Sequence, residues 1–178
     1  MKILCDTDTL FHNIDGDDKK SLQEREALEE LLRLRESRKI FMFRSRVVRA
    51  ELEATKNPIK KDKLQADYEA LDQIPKDENP IGSFNMTDRR GTCISNPIVS
   101  DILDENLYKE IIRDCLGEKN NKDAHHITHA YSNDCNVFLI RYEGIIKHRE
   151  WLEERLHALK IQRPSELRSK LLRDGDIP

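Results

Sequence analysis

The sequence predicts one α/β domain: a three-layer sandwich in which a central, mainly parallel sheet of about four to five strands is flanked by helices. Three observations carry this. Short, continuous apolar runs recur at Met1 to Cys5, Ile40 to Phe43 and Val137 to Ile140, the form taken by strands buried on both faces. Segments with helical spacing separate them, which implies parallel strands joined by right-handed crossovers. The length, 178 residues, suits one such core and is short for two.

In chain order, Met1 to Cys5 is a first strand that stops at acidic and threonine residues. Ser21 and Glu24 form a capping-box pattern ahead of Ala27, Leu28, Leu31, Leu32 and Leu34, predicting a helix from about Ser21 to Glu36. Ile40 to Phe43 is the second strand, and Ser45 is placed to cap a helix carrying Val47, Val48, Glu51 and Leu52. That helix ends near Asn57-Pro58, because the residue before proline avoids the α region. Lys60 to Ile74 reads as a further, strongly charged helix.

Periodicity fails from Pro75 to Pro97, where Pro, Gly, Asn and Ser accumulate; this is an insertion or long loop, with a hairpin expected across Asp88 to Gly91. Asn96-Pro97 starts a helix that passes through Ile102, Leu107, Ile111 and Leu116 to stop at Gly117. Asn121 caps the next helix, which holds Asp123 in its first turn and ends at Ser132-Asn133-Asp134. Val137 to Ile140 is a strand, Ile145 to Leu159 a helix with Trp151 as a packing anchor, Lys160 to Gln162 a short final strand and Pro164 to Arg173 a closing helix. The whole of residues 1–178 is one domain with an insertion at about 75–97.

Composition narrows the function. Hydrophobic and charged residues each make up 37%, as expected of a globular chain with heavily charged helix faces. A net charge of −3 excludes a protein that coats nucleic acid by bulk electrostatics, so any such contact must be local. Local basic groups stand at Arg44, Arg46 and Arg49, at Lys56, Lys60, Lys61 and Lys63, and at Arg89 and Arg90; the lysine run reads as a solvated helix face. Cys5, Cys93, Cys115 and Cys135 form no CxxC pair and point to reduced thiols. With no signal-peptide core or membrane span at the N-terminus, a cytoplasmic location is expected, without a membrane partner.

In a parallel sheet, ligands bind beyond the carboxyl ends of the strands. Asp6 and Asp8 stand at the end of the first strand, Glu51 on the helix after the second, and Asp123 at the start of the helix before Val137 to Ile140. Clustered carboxylates repel one another unless a divalent cation neutralises them, and Mg2+ or Mn2+ is the natural occupant. Each acid also has a plainer reading, as a turn former, a helix-terminus charge or a solvated surface group.

The segments Ile3 to Leu10, Val47 to Leu52 and Lys122 to Ala130 together resemble, in order, the acidic motifs of the PIN-domain family of metal-dependent ribonucleases. The resemblance implies hydrolysis of RNA phosphodiester bonds by metal-activated water, with Asp6, Glu51 and Asp123 as catalytic and metal-binding residues and Asp8 as an auxiliary acid. It departs where threonine and then aspartate are expected, because Ile140 and Tyr142 occupy those positions. Glu143 is the nearest substitute, provided the strand has already ended. Ser45, Arg46 and Tyr142 are candidate RNA contacts. RNA is the implied partner, with an antitoxin-like or other protein and a second copy of the chain as further candidates.

Three other readings compete. A PIN-like fold without its fourth acid serves equally as a binding module for RNA or protein, in which Tyr142 either stacks on a base or fills the emptied pocket. Asp6 and Asp8 also resemble the nucleophile and general acid of haloacid-dehalogenase-like phosphatases, which need a later acidic pair after an apolar strand; Asp174 and Asp176 follow a charged helix instead. His125, His126 and His129 have zinc-like helical spacing but lack the intervening glutamate and a third ligand, so core or surface roles are expected.

Overall fold

The computed structural model describes residues 1–10, 19–54, 56, 58–74 and 104–175. The expected insertion at 75–97, its hairpin and the helix start at Asn96-Pro97 lie outside the described residues.

Among the described residues, five strands form a single all-parallel sheet: β1 (Lys2–Cys5), β2 (Phe41–Arg44), β3 (Asp72–Gln73), β4 (Val137–Leu139) and β5 (Lys160–Gln162). Their order across the sheet is β3-β2-β1-β4-β5. The central β1 pairs on both sides, with Ile3 opposite Met42 in β2 and opposite Val137 in β4. The chain winds outward from β1 to β3, then returns to the far side of β1, so the winding reverses between β1 and β4.

The helices are α1 (Thr7–Leu10), α2 (Lys19–Glu36), α3 (Arg46–Glu53), α4 (Pro58–Glu69), α5 (Glu105–Ile111), α6 (Asn121–Ser132), α7 (Glu143–Ile146), α8 (Arg149–Leu156) and α9 (Pro164–Asp174). Alternation along the strands creates the layers. Ile3, Cys5, Met42, Val137 and Leu139 face one way, against Leu28 and Leu31 of α2, Val48 and Leu52 of α3, and Leu167 and Leu171 of α9. Leu4 and Phe138 face the other way, against Ile111 of α5, Ile127 of α6, Ile145 of α7 and Leu152 of α8. This is the three-layer sandwich expected from the sequence. Trp151 is half-buried against the second of these cores, as expected.

Several elements differ from expectation. Lys60 to Ile74 is not one helix: α4 stops at Glu69, and Asp72 and Gln73 form the edge strand β3, held by pairing with Phe43 and Arg44 and by the Ile74 N–H donating to the Arg44 carbonyl at 3.0 Å. Two polar residues carry no strand pattern of their own, so only tertiary pairing makes them one. Nor does the helix expected through Leu107 run unbroken across Asp104. Asp104 is extended, with φ −137° and ψ 90°, and its carboxylate accepts from the Leu107 N–H, which makes it the N-cap of α5. The continuation of α5 from Ile112 to Leu116 is a π-helical stretch, closed by Gly117 at φ 76°, in the left-handed region glycine favours.

The helix expected from Ile145 to Leu159 is divided into α7 and α8 by His148, at φ −101° and ψ 7°. The capping box expected at Ser21 and Glu24 is also corrected: α2 begins earlier, at Lys19, and the Glu24 carboxylate serves a distant helix. It accepts the Ser165 N–H at 3.0 Å and the Ser165 hydroxyl at 2.6 Å, at the N-terminus of α9. Among the described residues no helix is long and apolar enough to cross a membrane.

Candidate functional site

The carboxyl ends of β1 and β4 lie side by side where the winding reverses, the position at which open parallel sheets form their ligand crevice. Asp6 is the first residue beyond β1 and is only 4% exposed. Its N–H donates to the Leu139 carbonyl at 3.0 Å, and the buried Thr9 hydroxyl donates to the same carbonyl at 2.8 Å, so the turn after β1 is tied to the end of β4.

The Asp6 carboxylate meets α6. Its Oδ1 lies 3.5 Å from Nε2 of His126, whose ring is stacked on Phe138 of β4 at 6.3 Å between centroids. His126 was expected to be a core or surface residue; it is buried, and it faces the candidate acid. A signal was present in the sequence, because His126 stands three residues after Asp123 and such residues share a helix face. By the same spacing, Asp123 lies about one turn, roughly 4.5 Å along the axis, from the residue that touches Asp6. Asp123 is half-buried in the first turn of α6. Asp6 thus meets the helix that bears Asp123 through His126.

His125 and His129 are buried on the same helix, with their rings 4.6 Å apart and Tyr108 edge-on to His125 at 6.3 Å. Of the core and surface placements expected for them, the structure shows the buried one.

The helix carrying Glu51 reaches the same edge. α3 leaves the carboxyl end of β2 directly through Ser45, and it contacts both α1 and α6. Because α3 and α6 belong to opposite faces of the sheet, they touch by passing over its edge. The side chains of Glu51, Asp8 and Arg46 lie outside the described residues.

One predicted contact, Ser45, is placed differently, and one of the two readings of Tyr142 is removed. Ser45 is fully buried and its hydroxyl accepts from the Val48 N–H at 3.4 Å, so it serves as the expected cap of α3 and is withdrawn from RNA. Tyr142 is 49% exposed, so it does not fill a pocket. Glu143 does lie beyond the end of β4, the condition for it to replace the missing acid, but its carboxylate is engaged by Arg163 at 2.6 Å. Ile140, where threonine is expected, is fully buried.

The charge of Asp6 is felt in the core beneath it. Burial pushes the Cys5 thiol far above its ordinary value of 9.0, and the neighbouring Asp6 carboxylate raises it further. Among the described residues no three potential ligands gather as a metal site. Asp6 and Asp123 nonetheless offer hard oxygen donors, and magnesium often takes only one or two protein carboxylates, completing its shell with water and phosphate. No family model, curated protein or solved structure matches the chain.

Proposed function

We propose that this chain is a PIN-like endoribonuclease of altered acid content, cleaving RNA at the carboxyl edge of its sheet. The observation that carries the reading is the burial of Asp6 at the β1/β4 reversal, facing His126 on the helix that bears Asp123, while the helix that bears Glu51 contacts both α1 and α6. A carboxylate is costly to bury and persists where something compensates it, so its placement in a ligand crevice is a functional signature.

In this reading Asp6, Asp123 and Glu51 hold Mg2+ or Mn2+, which when bound supplies a water of lowered pKa and positive charge for the phosphoryl oxygens. His126 stands beside the Asp6 carboxylate and limits the space open to it. Thr9 and the Asp6 N–H lock the turn onto Leu139 and keep that carboxylate at the crevice. Asp8 remains an auxiliary acid, and Arg46 a candidate phosphate contact on α3.

A second reading is favoured by one observation, the Glu143–Arg163 pair. It occupies the acid nearest the missing position and supports a catalytically degenerate module that holds RNA or a protein partner, including an antitoxin-like one or a second copy. The phosphatase reading loses support. Asp174 ends α9, whose 11 residues carry it about 16 Å from the carboxyl edge where Asp6 stands.

The test is cleavage of a labelled single-stranded RNA in manganese by the parent chain, Asp6→Asn and Asp123→Asn. The endoribonuclease predicts cleavage by the parent and at least about a hundredfold loss in each variant, on the scale of removing a group that stabilises a transition state. Equal cleavage by all three would identify a contaminant, and no cleavage by a folded parent would leave the module.

A further inference from the structure

The parallel ladder runs one row past the carboxyl ends of the strands, and that row carries a second charged side chain. Leu4, Phe138 and Ile161 stand in register across β1, β4 and β5, followed by Cys5, Leu139 and Gln162. Beyond them the Asp6 N–H donates to the Leu139 carbonyl and the Ile140 N–H to the Gln162 carbonyl, each at 3.0 Å, so Asp6, Ile140 and Arg163 form the next row. Arg163 is still extended, at φ −80° and ψ 157°. Side chains alternate along a strand, so this row faces the same layer as Leu4, Phe138 and Ile161. Asp6 and Arg163 are thus two strand spacings apart, about 10 Å, on one face of the sheet, with the buried Ile140 between them.

The Arg163 side chain is built in. It is only 18% exposed, the Arg163 N–H donates to the Glu166 carboxylate at 2.9 Å, and that carboxylate also takes the Arg149 guanidinium at 3.0 Å and lies 3.8 Å from Arg163 Nη1. The fourth member of this network differs in kind. Glu143 reaches Arg163 at 2.6 Å from the first turn of α7, a helix of four residues, and its side chain is 62% exposed. Two guanidinium groups here face two carboxylates, so turning Glu143 away leaves one positive charge in excess on the row that holds Asp6. A guanidinium receives carboxylate and phosphate oxygens with the same fork of N–H donors. An ion pair with so exposed an acid adds little to stability, so displacing Glu143 costs little.

We infer that Arg163 is a phosphate-binding residue at the carboxyl edge and that Glu143 is its resident competitor, an internal anion that RNA must displace. The inference rests on the RNA-cleaving reading above and adds a regulation of the same site: the acid nearest the missing fourth position holds the guanidinium until a backbone phosphate takes its place.

The experiment uses the full chain in EDTA, so that binding is read without cleavage, with fluorescence anisotropy of a labelled 12-nucleotide single-stranded RNA as the probe. Arg163→Gln is expected to weaken binding about tenfold, and Glu143→Gln to tighten it about threefold or more. Arg163→Gln should also lower the slope of log affinity against log salt by about 0.7, the share of one phosphate contact on a single strand. The double variant separates competition from bulk charge: a competitor has no effect once its site is gone, so Glu143→Gln should bring no gain in the Arg163→Gln background. A gain that persists in that background, Arg163→Gln binding within twofold of the parent, or no RNA binding by either the parent or Glu143→Gln would each overturn the inference. If Arg163→Gln does not fold, Arg163→Lys, which keeps the charge and loses the fork, takes its place; a loss of about threefold is then expected, and parental affinity would overturn the inference. Cleavage in manganese keeps the two claims apart: a parent that cleaves while Arg163→Gln binds normally keeps the nuclease and loses the phosphate site, and RNA binding through Arg163 without cleavage does the reverse.

Discussion

Burial decides the chemistry of single residues here. Asp6 is an acid withdrawn from water at a sheet edge, while Cys5, one residue earlier, is a thiol kept neutral by the core. Cys135 is pushed up to about 12, chiefly by burial and despite Lys2, and Cys115 to about 11 by burial alone. In the unfolded chain these thiols ionise near 9.0, whereas the folded chain holds their protons. From that pH upward the unfolded state binds fewer protons, so stability falls as pH rises through the window up to about 12 and is unaffected by these groups below it. Urea midpoints at pH 7, 9 and 10.5 should therefore decline less steeply in Cys5→Ala/Cys135→Ala than in the parent; parallel declines would show that these thiols do not contribute.

Elements in this chain are completed by their neighbours. Glu24 lies six residues into α2 yet caps α9 through Ser165, where its negative charge also meets the positive end of a helix dipole. The α2–α9 pair is further joined by an ion pair between Arg168 and Glu30. Glu24→Ala removes the buried acceptor of two hydrogen bonds and should destabilise the fold by about 1–3 kcal/mol. Glu24→Gln, which keeps one acceptor oxygen, should cost less. Equal losses for the two substitutions, measured by denaturant unfolding, would show that packing and not the capping bonds matters. β3 makes the same point, since it exists through its pairing with Phe43 and Arg44.

For the molecule as a whole, the winding reversal between β1 and β4 is what gathers the candidate site. It sets α6 on the opposite face from α3 and lets the two meet over the carboxyl edge, so His126 from the last third of the chain faces Asp6 from the first. If a divalent ion binds there, it stabilises the folded state by about 2.7 kcal/mol at a hundredfold excess over its Kd. Manganese should raise the melting temperature of the parent and raise that of Asp6→Asn and Asp123→Asn less. An identical shift in Asp6→Asn would remove Asp6 from the metal site, whatever the outcome of cleavage assays.

What the sequence determined by itself is the layered architecture and the candidate acids. Continuous apolar runs such as Val137 to Leu139 are legible because a strand covered on both faces leaves no polar position, and the stripe of Leu28 and Leu31 is legible because a helix buries one face. Asp6 and Asp123 could be singled out because each stands at the boundary of such an element. Only the tertiary structure decided which residues those acids meet. That His126 faces Asp6, that Arg163 engages Glu143 and that Glu24 caps α9 depend on contacts between segments that local periodicity does not encode. Periodicity reports which face of an element is buried; the packing of elements against one another decides what lies on the other side.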